Sequence, residues 1–127
     1  MISELRRNKP HGAVLAWFEQ VNERDLYISA VTIGEIQAGI EITRKQDAAK
    51  ADELEDWLDS VASHYQVLPM DEVVFRLWAK WMSRTSDTLY EDGMIAATAR
   101  VHNLTVVTRT VGDFVGFDVR VFDPFTA

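Results

Sequence analysis

With 127 residues, 47% of them apolar and 26% charged, the chain has room for one core and needs no staples, which excludes a multidomain reading. The absence of cysteine excludes a disulfide framework, a thiolate zinc site and a cysteine nucleophile, and suits a reducing cytoplasm. A net charge of −7 is wrong for bulk electrostatic capture of nucleic acid, and no apolar run approaches the ~20 residues of a membrane span.

In chain order, Ile2 to Arg7 reads as a helix broken by Asn8-Lys9-Pro10. A second helix carries Val14, Leu15, Trp17, Phe18 and Val21 on one face. Asp25 to Ser29 reads as a short buried strand. Thr32 then caps a helix that turns Ile33, Ile36 and Ile40 inward and ends near Gly39 to Thr43. A longer helix spans about Gln46 to Ser63, with Leu54, Trp57, Leu58 and Val61 as its seam. Gln66 to Pro69 is the next strand, and Asp71 caps a helix whose stripe is Val74, Leu77, Trp78 and Trp81. A polar loop, Ser83 to Thr88, leads to a helix rich in small residues (Ile95, Ala96, Ala97, Ala99), then to strands over Leu104 to Thr108 and Val119 to Phe122. Strands alternating with helices predict a layered α/β fold with a parallel sheet, a single domain over residues 1–127. The tryptophans fall at core spacing and read as packing.

In such sheets, sites gather at the carboxyl ends of the strands. Three acids fit that rule. Glu35 lies about one turn into the helix after the strand ending at Ser29, Asp92 opens the Ala-rich helix, and Asp113 lies in the loop five residues past Thr108. Three converging carboxylates repel one another unless a cation neutralises them or their pKa values rise. Oxygen-only donors of this kind select Mg²⁺ or Mn²⁺, ions that serve the cleavage of phosphate esters. Each acid also has a plain structural role open to it. Thr32-Ile33-Gly34-Glu35 fits a capping box, Asp92 suits a helix N-terminus, and Asp113 suits a turn.

The ordered set Ile2-Ser3-Glu4-Leu5-Arg6-Arg7, Ser29-Ala30-Val31-Thr32-Ile33-Gly34-Glu35-Ile36, Asp92-Gly93-Met94-Ile95-Ala96-Ala97-Thr98-Ala99 and Val106-Val107-Thr108-Arg109-Thr110-Val111-Gly112-Asp113-Phe114 resembles the PIN-domain nucleases. It is more closely similar to the toxins of VapBC-type toxin–antitoxin pairs. The resemblance implies a PIN-like three-layer sandwich and a Mg²⁺- or Mn²⁺-dependent, cytoplasmic endoribonuclease. It further implies a homodimer, blocked by a VapB-type antitoxin through which operator DNA is bound. By position, Glu35, Asp92 and Asp113 match three of the family's four metal-site acids, and Thr108 matches its supporting hydroxyl residue. Thr110 stands where the family often has Asn.

The family's first acid, which ends its central first strand, has no counterpart, because Met1 occupies the slot of a valine just beyond it. Translation, or its assignment, is therefore expected to begin at an in-frame valine codon. The strands present are then the outer four, and the sheet is expected to be marginal, closed over the gap, or completed by another chain, with weakened metal binding. A PIN remnant that only grips an antitoxin is the alternative function. Two surfaces complete the expectations. Arg6, Arg7, Lys9, Arg44, Lys45 and Arg109 form a basic rim for RNA, and Leu5, Val14, Leu15, Trp17 and Phe18 form an apolar stripe for self-association or antitoxin binding.

Overall fold

The structure, a computed structural model, describes residues 12–84 and 89–126. The chain divides into two compact units, Glu23–Met70 and the flanking segments Met1–Asn22 with Asp71–Ala127. The helix expected over Ile2 to Arg7, and Thr85 to Thr88 of the polar loop, lie outside the described residues.

In Glu23–Met70, a 3-10 turn (Glu23–Asp25) leads into β1 (Tyr27–Ser29), α2 (Ala30–Arg44), α3 (Ala48–His64) and β2 (Gln66–Leu68); a helix α1 precedes them in the other unit. β1 and β2 pair in parallel, Tyr27 opposite Gln66 and Ser29 opposite Leu68. A parallel pair needs a long crossover, which the α2–α3 hairpin supplies. Ser29, not Thr32, starts α2: its backbone is extended and its hydroxyl accepts from the Val31 N–H at 3.1 Å. Asp47 caps α3 by accepting from the Lys50 N–H at 3.0 Å, so that helix begins at Ala48 instead of Gln46.

The predicted seams close on each other. Ile40, Ala51 and Leu58 are buried, with Ile33, Ile36, Leu54 and Trp57 packed around them. Beyond this core Arg44 clips the hairpin, reaching Glu41 at 3.1 Å, Asp52 at 2.7 Å and Glu55 at 3.2 Å. These contacts lower the Glu41 pKa, chiefly through Arg44 and then through Gln37. At the far end of α3, His64 meets Glu23, and the Gln66 side-chain amide donates to the Arg24 carbonyl at 3.0 Å. Both contacts hold the 3-10 turn against the α3–β2 junction.

The other unit contains α1 (Gly12–Gln20), α4 (Glu72–Met82), α5 (Tyr90–Val101), β3 (Val106–Val107), a 3-10 turn (Val111–Phe114) and β4 (Val121–Phe122). The apolar stripe expected on α1 is partly covered. Val14 is fully buried, Trp17 lies edge-on to Phe18 and 6.2 Å from the Phe122 ring, and Leu15 keeps 37% of its surface. Leu5 lies outside the described residues. Asp71 caps α4 through the Val74 N–H, as its position predicts.

The small-residue face of α5 (Gly93, Ala96, Ala97, Thr98, Ala99) is buried, which lets α4 approach closely. A Cβ added at Gly93 would lie 2.9 Å from Met82 Sδ, 3.2 Å from Trp78 Cδ1 and 3.3 Å from Phe117 Cζ. α5 ends in a Schellman turn. Asn103 takes a positive φ of 55°, the Leu104 N–H donates to the Ala99 carbonyl and the Asn103 N–H to that of Arg100. Leu104 is thus spent on the helix end, and β3 starts only at Val106. β3 and β4 pair in parallel over Val106–Val121 and Val107–Phe122. Ala96, Ala99, Val106, Phe114 and Phe117 form this unit's core.

The four expected strands thus form two parallel pairs. No helix among the described residues is long and apolar enough to cross a membrane.

Candidate active site

β3 and β4 are parallel, so both carboxyl ends face the same way. The Schellman turn reverses the chain between α5 and β3, which brings the first turn of α5 to that same end. Asp92 sits in this first turn, half-buried, on a helix whose N-cap, Leu89, offers no side-chain bond. Asp113 sits in the 3-10 turn Val111–Phe114, its N–H donating to the Thr110 carbonyl at 3.1 Å. The next residue, Phe114, is buried in the core and fixes the turn.

Thr108 braces the same loop. Its hydroxyl oxygen accepts from the Thr110 N–H at 3.1 Å and lies 3.1 Å from the Thr110 hydroxyl. The Thr110 hydroxyl thereby joins the contact made by Thr108.

The electrostatics of the pair are legible in Asp92. Its pKa is raised, first by burial, then by the charge of Asp113, then by Glu91. The first turn of a helix ordinarily favours an anion. Desolvation and two neighbouring carboxylates outweigh that preference here.

Glu35 lies in the Glu23–Met70 unit, exposed on the second turn of α2. With Ser29 as the cap, Thr32 is the third helical residue and Glu35 the sixth, too far along for a capping box. That structural explanation for Glu35 is removed. Among the described residues, however, no three acidic or histidine side chains gather closely enough to hold a metal ion. Within its own unit the structure thus brings Asp92 near Asp113, with Thr108 bracing the loop that carries Asp113.

The expected basic rim lies only in part within the described residues. Arg6, Arg7 and Lys9 lie outside the described residues, and Arg44 is committed to its three carboxylates. Arg109 instead stacks on the Phe125 ring, 4.6 Å from its centroid. Nothing in the sequence pointed to Phe125, because no periodicity or motif links it to Arg109. Trp78 and Tyr90 were likewise missed as a local pair: the indole N–H donates to the Tyr90 carbonyl at 3.1 Å, and Tyr90 is 44% exposed.

The chain matches the PIN domain family over residues 1–110. It is 35% identical to the toxin FitB of Neisseria gonorrhoeae over 132 residues, covering 98% of this chain and 94% of that protein. Identity to the VapC ribonuclease Y4jK of Sinorhizobium fredii is 33%, covering 98% of this chain and 93% of that one. The crystal structure of FitAcB from Neisseria gonorrhoeae is similar at a TM-score of 0.87 and 34% identity, over 99% of this chain and 94% of that one. With a family match over residues 1–110 and relatives along almost the whole sequence, the chain belongs to the PIN-domain family.

Proposed function

We propose that the protein is the toxin of a type II toxin–antitoxin pair and an endoribonuclease. The proposal takes residues 1–127 as one PIN-like domain, which the family match over both units supports. The observation that carries the reading is the placement of Asp92 in the first turn of α5 near Asp113 in the turn after β3, where burial and then the Asp113 charge raise the Asp92 pKa. Carboxylate oxygens are the right donors for Mg²⁺ or Mn²⁺, and Asp92 and Asp113 would hold the ion. Glu35 is assigned to the same ion by the motif match alone.

When bound, the ion supplies charge neutralisation at the scissile phosphate and makes water a better nucleophile. The rest falls to the chain. Thr108 and Thr110 keep the Asp113 loop in one conformation, Phe114 anchors it, and the half-burial of Asp92 limits competition from water. Relatives named as a toxin and as a VapC ribonuclease support the activity and a cognate antitoxin as partner. Homodimerisation, contact with operator DNA through the antitoxin, and a cytoplasmic location complete the proposal.

Calorimetric titration with Mn²⁺ and cleavage of single-stranded RNA test it. Wild type should bind and cleave, while Asp92→Asn, Asp113→Asn and Glu35→Gln should each bind the ion more weakly. Unchanged affinity in all three variants refutes the site. The alternative reading is a PIN remnant that binds its antitoxin without cleaving RNA. Co-purification with antitoxin but no metal-dependent cleavage selects that reading.

A further inference from the structure

Arg109 stands at the carboxyl end of β3, directly after Thr108, whose N–H donates to the Phe122 carbonyl at 3.0 Å. Its guanidinium lies over the Phe125 ring at 4.6 Å. That ring has a fixed base. Pro124 is fully buried, and the Phe125 N–H donates to Asp123 Oδ1 at 2.8 Å. In a chain with a net charge of −7, an exposed arginine would ordinarily find a carboxylate. Among the described residues none lies within ion-pair distance of Arg109.

A guanidinium held over an aromatic ring spends no N–H donor on an acceptor there, so its planar fork stays available. Such a fork matches two oxygens of a phosphate. It also stands at the strand end that carries Asp113, where a polyanion must approach two carboxylates and needs local positive charge.

We propose that Arg109, held flat by Phe125, is a positioning residue that grips a backbone phosphate of the RNA beside the cleaved bond. The proposal rests on the ribonuclease reading. Asp92 and Asp113 hold the reacting phosphate's cation, and Arg109 sets the strand's path across them. Phe125 acts through Arg109 by limiting its rotamers.

The test is steady-state cleavage of a single-stranded RNA oligonucleotide in Mn²⁺ at several KCl concentrations. Arg109→Ala should raise KM about tenfold with little change in kcat. Its plot of log(kcat/KM) against log[KCl] should be shallower by about 0.7, the loss of one phosphate contact. Arg109→Lys should keep the wild-type slope with a smaller rise in KM, and Phe125→Leu should keep the slope and raise KM. Arg100→Ala, which removes a cation from the last turn of α5, should change neither quantity. A merely structural role for Arg109 would lower Tm without moving the salt slope. Wild-type KM and slope in Arg109→Ala overturn the proposal, as does an equal effect from Arg100→Ala or loss of antitoxin binding alone. If wild type itself cleaves no RNA, the ribonuclease reading fails first and this proposal with it.

Discussion

Asp92 shows a functional side chain working against the fold that holds it. Because burial and Asp113 raise its pKa, the folded protein keeps the Asp92 proton to a higher pH than the unfolded chain does. The ionised carboxylate therefore weakens folding, fully above its folded pKa and not at all below the ordinary aspartate value of about 3.9. In EDTA at pH 7, Asp92→Asn should raise Tm while weakening Mn²⁺ binding, and the gain should vanish near pH 3.5. A fall in Tm at pH 7 would contradict this sign. Thr108→Val should behave differently. The exposed Thr110 N–H can turn to water, so stability should drop by less than about 1 kcal/mol while Mn²⁺ affinity falls several-fold. At this scale the sequence was readable where chemistry is local: Asp92, Asp113 and Thr108 all stand at the strand end their positions implied. Glu35 was ambiguous because Thr32 read as the cap of α2, and the Ser29 hydroxyl bond to Val31 removes that reading.

Elements were legible in kind and less so in extent. Helix periodicity located α3, α4 and α5, since each buries a stripe at 3.6-residue spacing. Strand ends were overrun because backbone groups near them are claimed by neighbours. The Leu104 N–H belongs to the end of α5, and the Val119 N–H donates to the Phe117 carbonyl. The α5 terminus makes a sharp prediction. Asn103→Gly should leave stability unchanged or slightly higher, whereas Asn103→Val, forced into a positive φ, should cost about 1–2 kcal/mol in a denaturant melt. The start of α5 makes another. Gly93→Ala gains about 1 kcal/mol of helix propensity, and Met82 Sδ can swing aside, so the change should be close to neutral. Gly93→Leu cannot be absorbed by Trp78 and Phe117 as well, and should cost about 1–3 kcal/mol.

For the whole molecule, parallel strands were deducible from the helical crossovers, while the split into two strand pairs was legible only through the family resemblance, which leaves the central first strand without a counterpart. The split depends on which backbone edges meet, and single-residue signals carry no such information. The Glu23–Met70 unit has a small core and a two-stranded sheet, which is too little to stand alone. Excised, it should show helical circular dichroism from α2 and α3 without a cooperative thermal transition, and a sharp melt would refute this. The order of the units along the chain has a further consequence during synthesis. Glu23–Met70 is contiguous and leaves the ribosome early, whereas its counterpart is split and waits for residues as late as Val121 to close β3 on β4. Asp92 and Asp113 both belong to that later unit. A nascent chain that has released only Glu23–Met70 therefore carries no assembled acidic pair next to the ribosome that is making it.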